Sequence, residues 1–256
     1  MEALLVLALF LGLVSLFGFG STAARKGAAG EARVSAALRS AFREPDYRIL
    51  TDLTIPTDRG TTQIDHVVLS RYGLHIIETK NMSGWIFGDP DAARWTQVLH
   101  RKKTSFQNPI KQNYAHLKAI EAVLGIAAHQ MHNLVVFVGS AVPRTDMPEN
   151  VCWSRSQLVA SISASRNVIV DPDRIGAFAD RLEGAALPRG RRTTRDHIAA
   201  LKRRDATRRD DPSACPRCAG PMVDRKARAS SRSFLGCRRY PACKGTREIS
   251  ILSGTR

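Results

Sequence analysis

Acid is what this chain has least of. It sets 23 Asp and Glu against 39 Lys and Arg, a formal net charge of +16 over 256 residues. The deficit is local: residues 189–256 hold 19 cations and 6 acids, and everything before them is nearly balanced. A segment so cationic excludes a basic partner and favours a polyanion, either nucleic acid or an anionic membrane face. Cysteine is equally sparse outside one place. Only Cys152 precedes the cluster Cys215, Cys218, Cys237 and Cys243, which excludes a disulfide framework for the main body and fits a reducing compartment. Cys152 itself reads as a small core residue. No internal repeat is present, so a solenoid is excluded. With 43% hydrophobic and 24% charged residues, the chain can bury a core, which excludes wholesale disorder.

Positive charge is also missing ahead of the first apolar run. Residues 3–20 carry no charge, Glu2 precedes them, and Arg25 and Lys26 follow. Eighteen residues of helix at about 1.5 Å each nearly span a hydrocarbon core of about 30 Å. The charge order is that of a retained anchor over residues 1–22 with the body of the chain in the cytoplasm, a single-pass protein of the cell membrane. A cleaved signal peptide is the alternative, which Ser21-Thr22-Ala23 keeps open.

Beyond the anchor, residues 27–42 place Val34, Leu38, Ala41 and Phe42 on one helical stripe. Residues 47–53, 61–70 and 74–79 are rich in β-branched and aromatic residues and are punctuated by Pro56, Gly60 and Gly73, which predicts strands of one sheet. Short segments follow around Trp85 and Trp95, which read as core or sheet-edge residues. Asn108-Pro109 opens a helix that stops at Gly125. A short buried strand is expected at 134–138, and helices start at Ser154 and Asp171-Pro172, ending near Gly184. The alternation predicts an α/β domain over residues 27–187, with a mixed central sheet flanked by helices. Residues 188–212 are Arg-rich and poor in large apolar side chains, and they read as a basic linker that is partly helical at best. Residues 213–254 form a separate small finger.

The chemistry-bearing residues of the main domain are Asp65, Glu78 and Lys80. A hairpin turning at Arg71-Tyr72 would set Asp65 opposite Glu78 and Gln63 opposite Lys80, and the period of two would bring both acids and the lysine to one face. Opposed carboxylates repel unless a cation lies between them, and hard oxygen ligands suit Mg²⁺ or Mn²⁺. Such an ion can activate water against a phosphodiester while Lys80 orients the water or neutralises the phosphate. On spacing alone, a solvated cross-strand ion pair explains these residues as well. His66 and His75 lie one position from the acids and should face the other way, in packing or a hydrogen bond. Arg101, Lys102 and Lys103 fit either phosphate contact or a solvated turn.

The segments GEARVSAAL, YRILTDL, TQIDHVVLSRYGLHIIETKNMSGWIFGD and NPIKQNYAHLKAI, in this order, resemble the nuclease-related domain family, a branch of the PD-(D/E)xK nuclease superfamily. The resemblance covers residues 27–138. It implies a restriction-endonuclease-like fold, a catalytic signature of Asp65, Glu78 and Lys80, and accessory roles for Glu31 and Gln112 on flanking helices. Related nucleases often follow the helix glutamine with tyrosine four positions later, where this chain has His116.

In the finger, Cys215-x2-Cys218 and Cys237-x5-Cys243 form two ligand pairs separated by eighteen residues. Four thiolates at that spacing can close a tetrahedral Zn²⁺ site that supplies much of the folding free energy of so short a segment. CPRCAGPMVDRKARASSRSFLGCRRYPACKGT also resembles the zinc finger at the C-terminus of type IA DNA topoisomerases. That likeness implies contact with DNA, single strands included, through stacking on Phe234 and Tyr240 and phosphate contacts from Arg225, Lys226, Arg228, Arg238 and Arg239. Either aromatic could instead be finger core, Phe234 as readily as a stacking face.

The sequence thus predicts a membrane-anchored, Mg²⁺-dependent DNA endonuclease with a DNA-binding finger. A non-catalytic membrane tether for DNA, built on a nuclease-like scaffold, is the second expectation. RNA as the polymer and anionic lipid as the target of the basic tail remain open.

Overall fold

A computed structural model describes residues 22–58, 60–217, 220–227, 233–241 and 243–249. The expected anchor over residues 1–22 lies almost wholly outside them. Among the described residues, no helix is long and apolar enough to cross a membrane.

The main domain is α/β with a mixed sheet. Helix α1 (Thr22–Ala41) leads into β1 (Tyr47–Thr57), β2 (Gly60–Ser70) and β3 (Gly73–Lys80), which pair antiparallel in sequence. Next come β4 (Gly84–Phe87), β5 (Arg94–Leu99), β6 (Lys102–Gln107), α2 (Pro109–Leu124), β7 (Met131–Phe137), β8 (Ala141–Pro143), β9 (Val151–Cys152), α3 (Arg155–Ala164) and α4 (Arg174–Ala185). The central sheet runs β1-β2-β3-β7-β9, with β7 and β9 added parallel to β3. Its middle strand, β3, is buried from Gly73 to Thr79, as expected of a strand covered on both faces. Pro56, which lacks a donor, is tolerated because β1 is an edge strand.

Each face of the sheet has its own core. On one, Leu53, Ile64, Val67, Leu74 and Ile76 meet Leu117 and Ile120 of α2 and Phe178 and Leu182 of α4. On the other, Val68, Ile77, Leu134, Val136 and Cys152 meet Val34, Leu38 and Phe42 from α1 and its C-terminal end, and Leu158 and Ile162 of α3. Val34, Leu38 and Phe42 of the stripe read from the sequence are therefore buried, whereas Ala41 is exposed, and the helix extends five residues further toward the N-terminus than expected.

Two sequence expectations need correction. Trp95 is core as expected, but Trp85 is 49% exposed on β4, an inner strand of a second sheet ordered β6-β5-β4-β8, and is neither core nor sheet edge. Trp95 and Ile86 pack beneath it on Phe137. The residues read as a basic linker form a 20-residue helix, α5 (Arg191–Asp210). It rests on β2, where His197 is buried and its Nδ1 meets Thr61 Oγ1 at 2.7 Å. Low apolar content hid α5, because one histidine and the flank of the β1–β2 hairpin supply its seat. The finger is a three-stranded antiparallel sheet of β10 (Met222–Lys226), β11 (Ser233–Cys237) and β12 (Thr246–Glu248).

Candidate active site and zinc finger

The β2–β3 ladder has the register the sequence predicts, from Ser70 opposite Gly73 to His66 opposite Ile77. It stops one pair short of the acids. Instead of a ladder bond, Asp65 Oδ2 accepts the Thr79 amide at 2.7 Å, so the aspartate side chain takes over where the two backbones separate. On the other side of β2 the ladder passes from Thr51–His66 to Leu53–Ile64, leaving out Asp52 and Asp65. Asp52 is in the left-handed region at φ 52°, which its short polar side chain tolerates better than most. Alternation breaks here: Ile64 and Val67, three apart, enter the same core. The site is thus built on a local twist in β2.

Glu78 and Lys80 continue β3, which stays paired to β7 through Lys80. Lys80 Nζ donates to Glu78 Oε1 at 2.5 Å and to Gln112 Oε1 of α2 at 3.0 Å. The other oxygen, Glu78 Oε2, lies 3.1 Å from His116 Nε2. An ionised carboxylate only accepts, so Nε2 is the donor there. The far ring nitrogen, Nδ1, meets Thr62 Oγ1 at 2.7 Å. Gln63 does not face Lys80; it donates to Asp52 Oδ1 at 2.7 Å.

The two acids are electrostatically unlike. Burial, then the charges of Glu78 and Glu31, push the Asp65 carboxyl well above the usual aspartate range, against the pull of the Thr79 amide and Lys80. Burial also opposes ionisation of Glu78, but Lys80 and His116 together outweigh it and hold this carboxyl below the usual range. Glu31, half-buried on α1, is raised by burial and by Asp52 and Glu78. Four carboxylates therefore share a neighbourhood in which Lys80 is the ion-pair partner of Glu78. Gly30 permits this approach of α1, because a Cβ there would lie 2.6 Å from Asn81 Cβ.

The donor set fits a small hard cation. Asp65 and Glu78 offer carboxylate oxygens, and Mg²⁺ usually takes one or two carboxylates and keeps several waters. The raised Asp65 carboxyl marks a charge that a cation would relieve. Among the described residues only the cysteine cluster brings three ligand-bearing side chains within 4.8 Å of one another, so Asp65, Glu78 and Glu31 do not together form such a group.

His66 and His75 take the opposite face. His66 Nε2 meets Ser35 Oγ at 2.9 Å and the Glu31 carbonyl at 3.2 Å, and burial lowers its pKa to about 4. His75 stacks on His132 with ring centroids 4.5 Å apart, and burial followed by His132 lowers it to about 3. Burial lifts the Cys152 thiol to about 11, which leaves it an unreactive core group. Sequence reasoning missed His116 as a Glu78 partner, Asp52, and Asn113. The last is fully buried and donates to Ile76 O, Leu134 O and Asn133 Oδ1, locking α2 onto β3 and β7. The tyrosine-to-histidine departure at position 116 was the available signal for the first. Nothing in the sequence marks the other two.

In the finger, Cys215, Cys237 and Cys243 bring their sulfurs within 4.8 Å of one another, and Cys215 Sγ lies 3.8 Å from Cys243 Sγ. Zn–S bonds of about 2.3 Å at the tetrahedral angle require sulfurs about 3.8 Å apart, so these thiols fit Zn²⁺. Cys218 and Arg228 lie outside the described residues. A Cβ on Gly245 would collide with Cys215 Sγ. Beside the metal site, Arg225, Lys226, Phe234, Tyr240 and Lys244 line a cavity of about 700 Å³. The Arg225 guanidinium stacks over Tyr240, 5.3 Å from the ring centroid. Tyr240, Arg238 and Arg239 are exposed, while Phe234 is half-buried opposite Arg225.

An uncharacterized protein of Bacillus anthracis is 53% identical over 97 residues, which make up 38% of this chain and 45% of the relative. The chain thus spans less than half the length of the curated relative it matches. Residues 26–138 match the Nuclease-related domain family, and residues 213–250 match the Topoisomerase DNA binding C4 zinc finger family. The chain therefore carries a nuclease-related domain, within which the acidic site lies, followed by a C4 zinc finger of topoisomerase type.

Proposed function

We propose that the protein is a divalent-metal-dependent DNA endonuclease, tethered to the cell membrane by residues 3–20 with its bulk in the cytoplasm. The observation that carries the reading is the Asp65–Glu78–Lys80–Gln112 constellation, placed where β2 and β3 separate inside a nuclease-related domain. Asp65 and Glu78 would hold Mg²⁺ or Mn²⁺, which when bound supplies Lewis-acid activation of water and of the phosphoryl oxygens. Gln112 positions Lys80 Nζ to orient the attacking water or neutralise the phosphate. His116, backed by Thr62, fixes the Glu78 carboxylate, as outer partners of metal ligands do. Glu31 adds negative potential at the rim. The finger, through Phe234, Tyr240 and the surrounding arginines, holds DNA near this site.

The test is cleavage of supercoiled plasmid by the full chain in detergent, with Mg²⁺ or Mn²⁺. The reading expects nicked and linear products that an Asp65→Ala variant does not make. Equal products from both proteins, or none from either, overturn it.

One observation favours a second reading, a non-catalytic DNA tether: both Glu78 oxygens are already engaged. A carboxylate has about four lone-pair sites, so two hydrogen bonds leave room for a cation, and the endonuclease reading stands ahead. A tether would retain its biological activity in an Asp65→Ala, Lys80→Ala variant. Resistance of the full chain, but not of a chain lacking residues 1–21, to carbonate extraction from membranes tests the anchor.

A further inference from the structure

Among the described residues, the outer face of the second sheet is left exposed. Trp85 is 49% exposed, Val142 47% and Phe87 37%. Trp85 stands opposite Val98 on one side and Val142 on the other, so by the period of two these side chains form one apolar strip, with Ile86 and Trp95 turned inward to the core. Cations frame the strip. The Arg144 guanidinium sits over the Trp85 ring at 4.5 Å from its centroid. Lys103 pairs with Val98, and Arg94, on the same face of β5 as Thr96 and Val98, is held by two hydrogen bonds to Ser105 at 2.8 Å. The four strands contain no acidic residue.

We infer that this face is a platform for single-stranded DNA. Flat aromatic faces interleaved with cations bind unstacked bases and backbone phosphates together, whereas duplex DNA offers its bases only at their edges. A hydrophobic protein partner would not need three cations on this face. The platform also adjoins the acidic site. Three residues, Asn81 to Ser83, separate Lys80 from β4, and this connection is tied to the start of α1 by Asn81 Nδ2 to Lys26 O at 2.6 Å and to β5 by Gln97 Nε2 to Ser83 O at 2.7 Å. A strand lying on Trp85 and Phe87 is thereby led toward the C-terminal end of β3, which carries Glu78 and Lys80. The choice of DNA rests on the DNA-binding part of the proposed function, but not on cleavage.

The test uses the full, zinc-loaded chain in detergent without added Mg²⁺ or Mn²⁺, so that no cleavage step enters. A labelled dT oligonucleotide of about 15 nucleotides, long enough for a site of this kind, is compared with a duplex and with oligo-U. We expect Trp85→Ala and Arg144→Gln each to weaken dT binding at least about fivefold, the effect of losing one base stack, with duplex affinity changed less than about twofold. Trp85→Phe keeps a ring and should restore most of the affinity. Photo-crosslinking with iodouracil-substituted oligonucleotide should label the peptide containing Trp85. Unchanged dT affinity in Trp85→Ala, or crosslinks confined to the finger, overturns the inference. So does loss of self-association with DNA binding intact, which would give the face to a second copy, and so does tighter binding of oligo-U lost on the same substitution. Absence of plasmid cleavage would sink the endonuclease reading and leave this one standing.

Discussion

At the scale of single residues, the account turns on how two buried acids are made different. Lys80 and His116 keep Glu78 ionised, whereas Asp65 is crowded by Glu78 and Glu31. His116 touches no DNA in this reading and acts through Glu78. His116→Ala should therefore lower activity on the order of 10- to 100-fold, with the metal concentration for half-maximal activity rising as well. His116→Gln, able to donate from its amide, should recover part of both. Equal activity in all three proteins would remove His116 from the site. The other face of the sheet makes a prediction about stability. His66 and His75, with ordinary values of 6.5, are lowered to about 4 and about 3 by burial. Below pH 6.5 the unfolded chain takes up protons that the folded chain refuses, so stability should fall as pH drops from about 6.5 toward 4. Thermal melts across that range check it, and a His66→Gln variant should show a shallower decline.

At the scale of elements, α2 is the part that carries Gln112 and His116 to the site, and its start is fixed by Asn108. That side chain is fully buried, accepts from the Ile110 and Lys111 amides, and donates to the carbonyls of Asp89, Pro90 and Ala92. Asn108→Ala loses a cap worth about 1 kcal/mol and the hydrogen bonds of its amide to the 89–92 loop, worth about 0.5–1.5 kcal/mol each. We expect about 2–4 kcal/mol of destabilisation in urea unfolding, and a loss under about 0.5 kcal/mol would contradict this role. The cap and the stop of α2 were legible, because Asn-Pro and Gly are local signals. So was the β2–β3 register, set by a two-residue turn and a buried face. What the sequence hid depends on partners distant in the chain. The ladder fails at Asp65 because Asp52, thirteen residues away, has adopted a left-handed backbone. The second sheet needs β8 to reach β4 across the 53 residues between Phe87 and Ala141, and α5 is seated by His197 on Thr61. Periodicity in a short window reports none of these.

At the scale of the whole molecule, charge and chemistry are divided. The acids that would hold a hard cation lie in the nuclease-related domain, and most of the excess positive charge follows it, in α5 and the finger. Zinc removal should then cost DNA affinity without unfolding the main domain: a chelator that strips Zn²⁺ should weaken oligonucleotide binding while leaving the His66-dependent melt unchanged. Gly245→Ala, which would press a methyl group against Cys215 Sγ, should reproduce the chelator's effect in the presence of zinc. The central claim, that Asp65 and Glu78 make a pocket for a divalent cation, is tested most directly by following free Mn²⁺ through its electron paramagnetic resonance signal during titration with zinc-loaded protein. The account predicts at least one bound Mn²⁺ per chain that disappears in both Asp65→Ala and Glu78→Ala; the same Mn²⁺ uptake in the wild type and the two variants would contradict it.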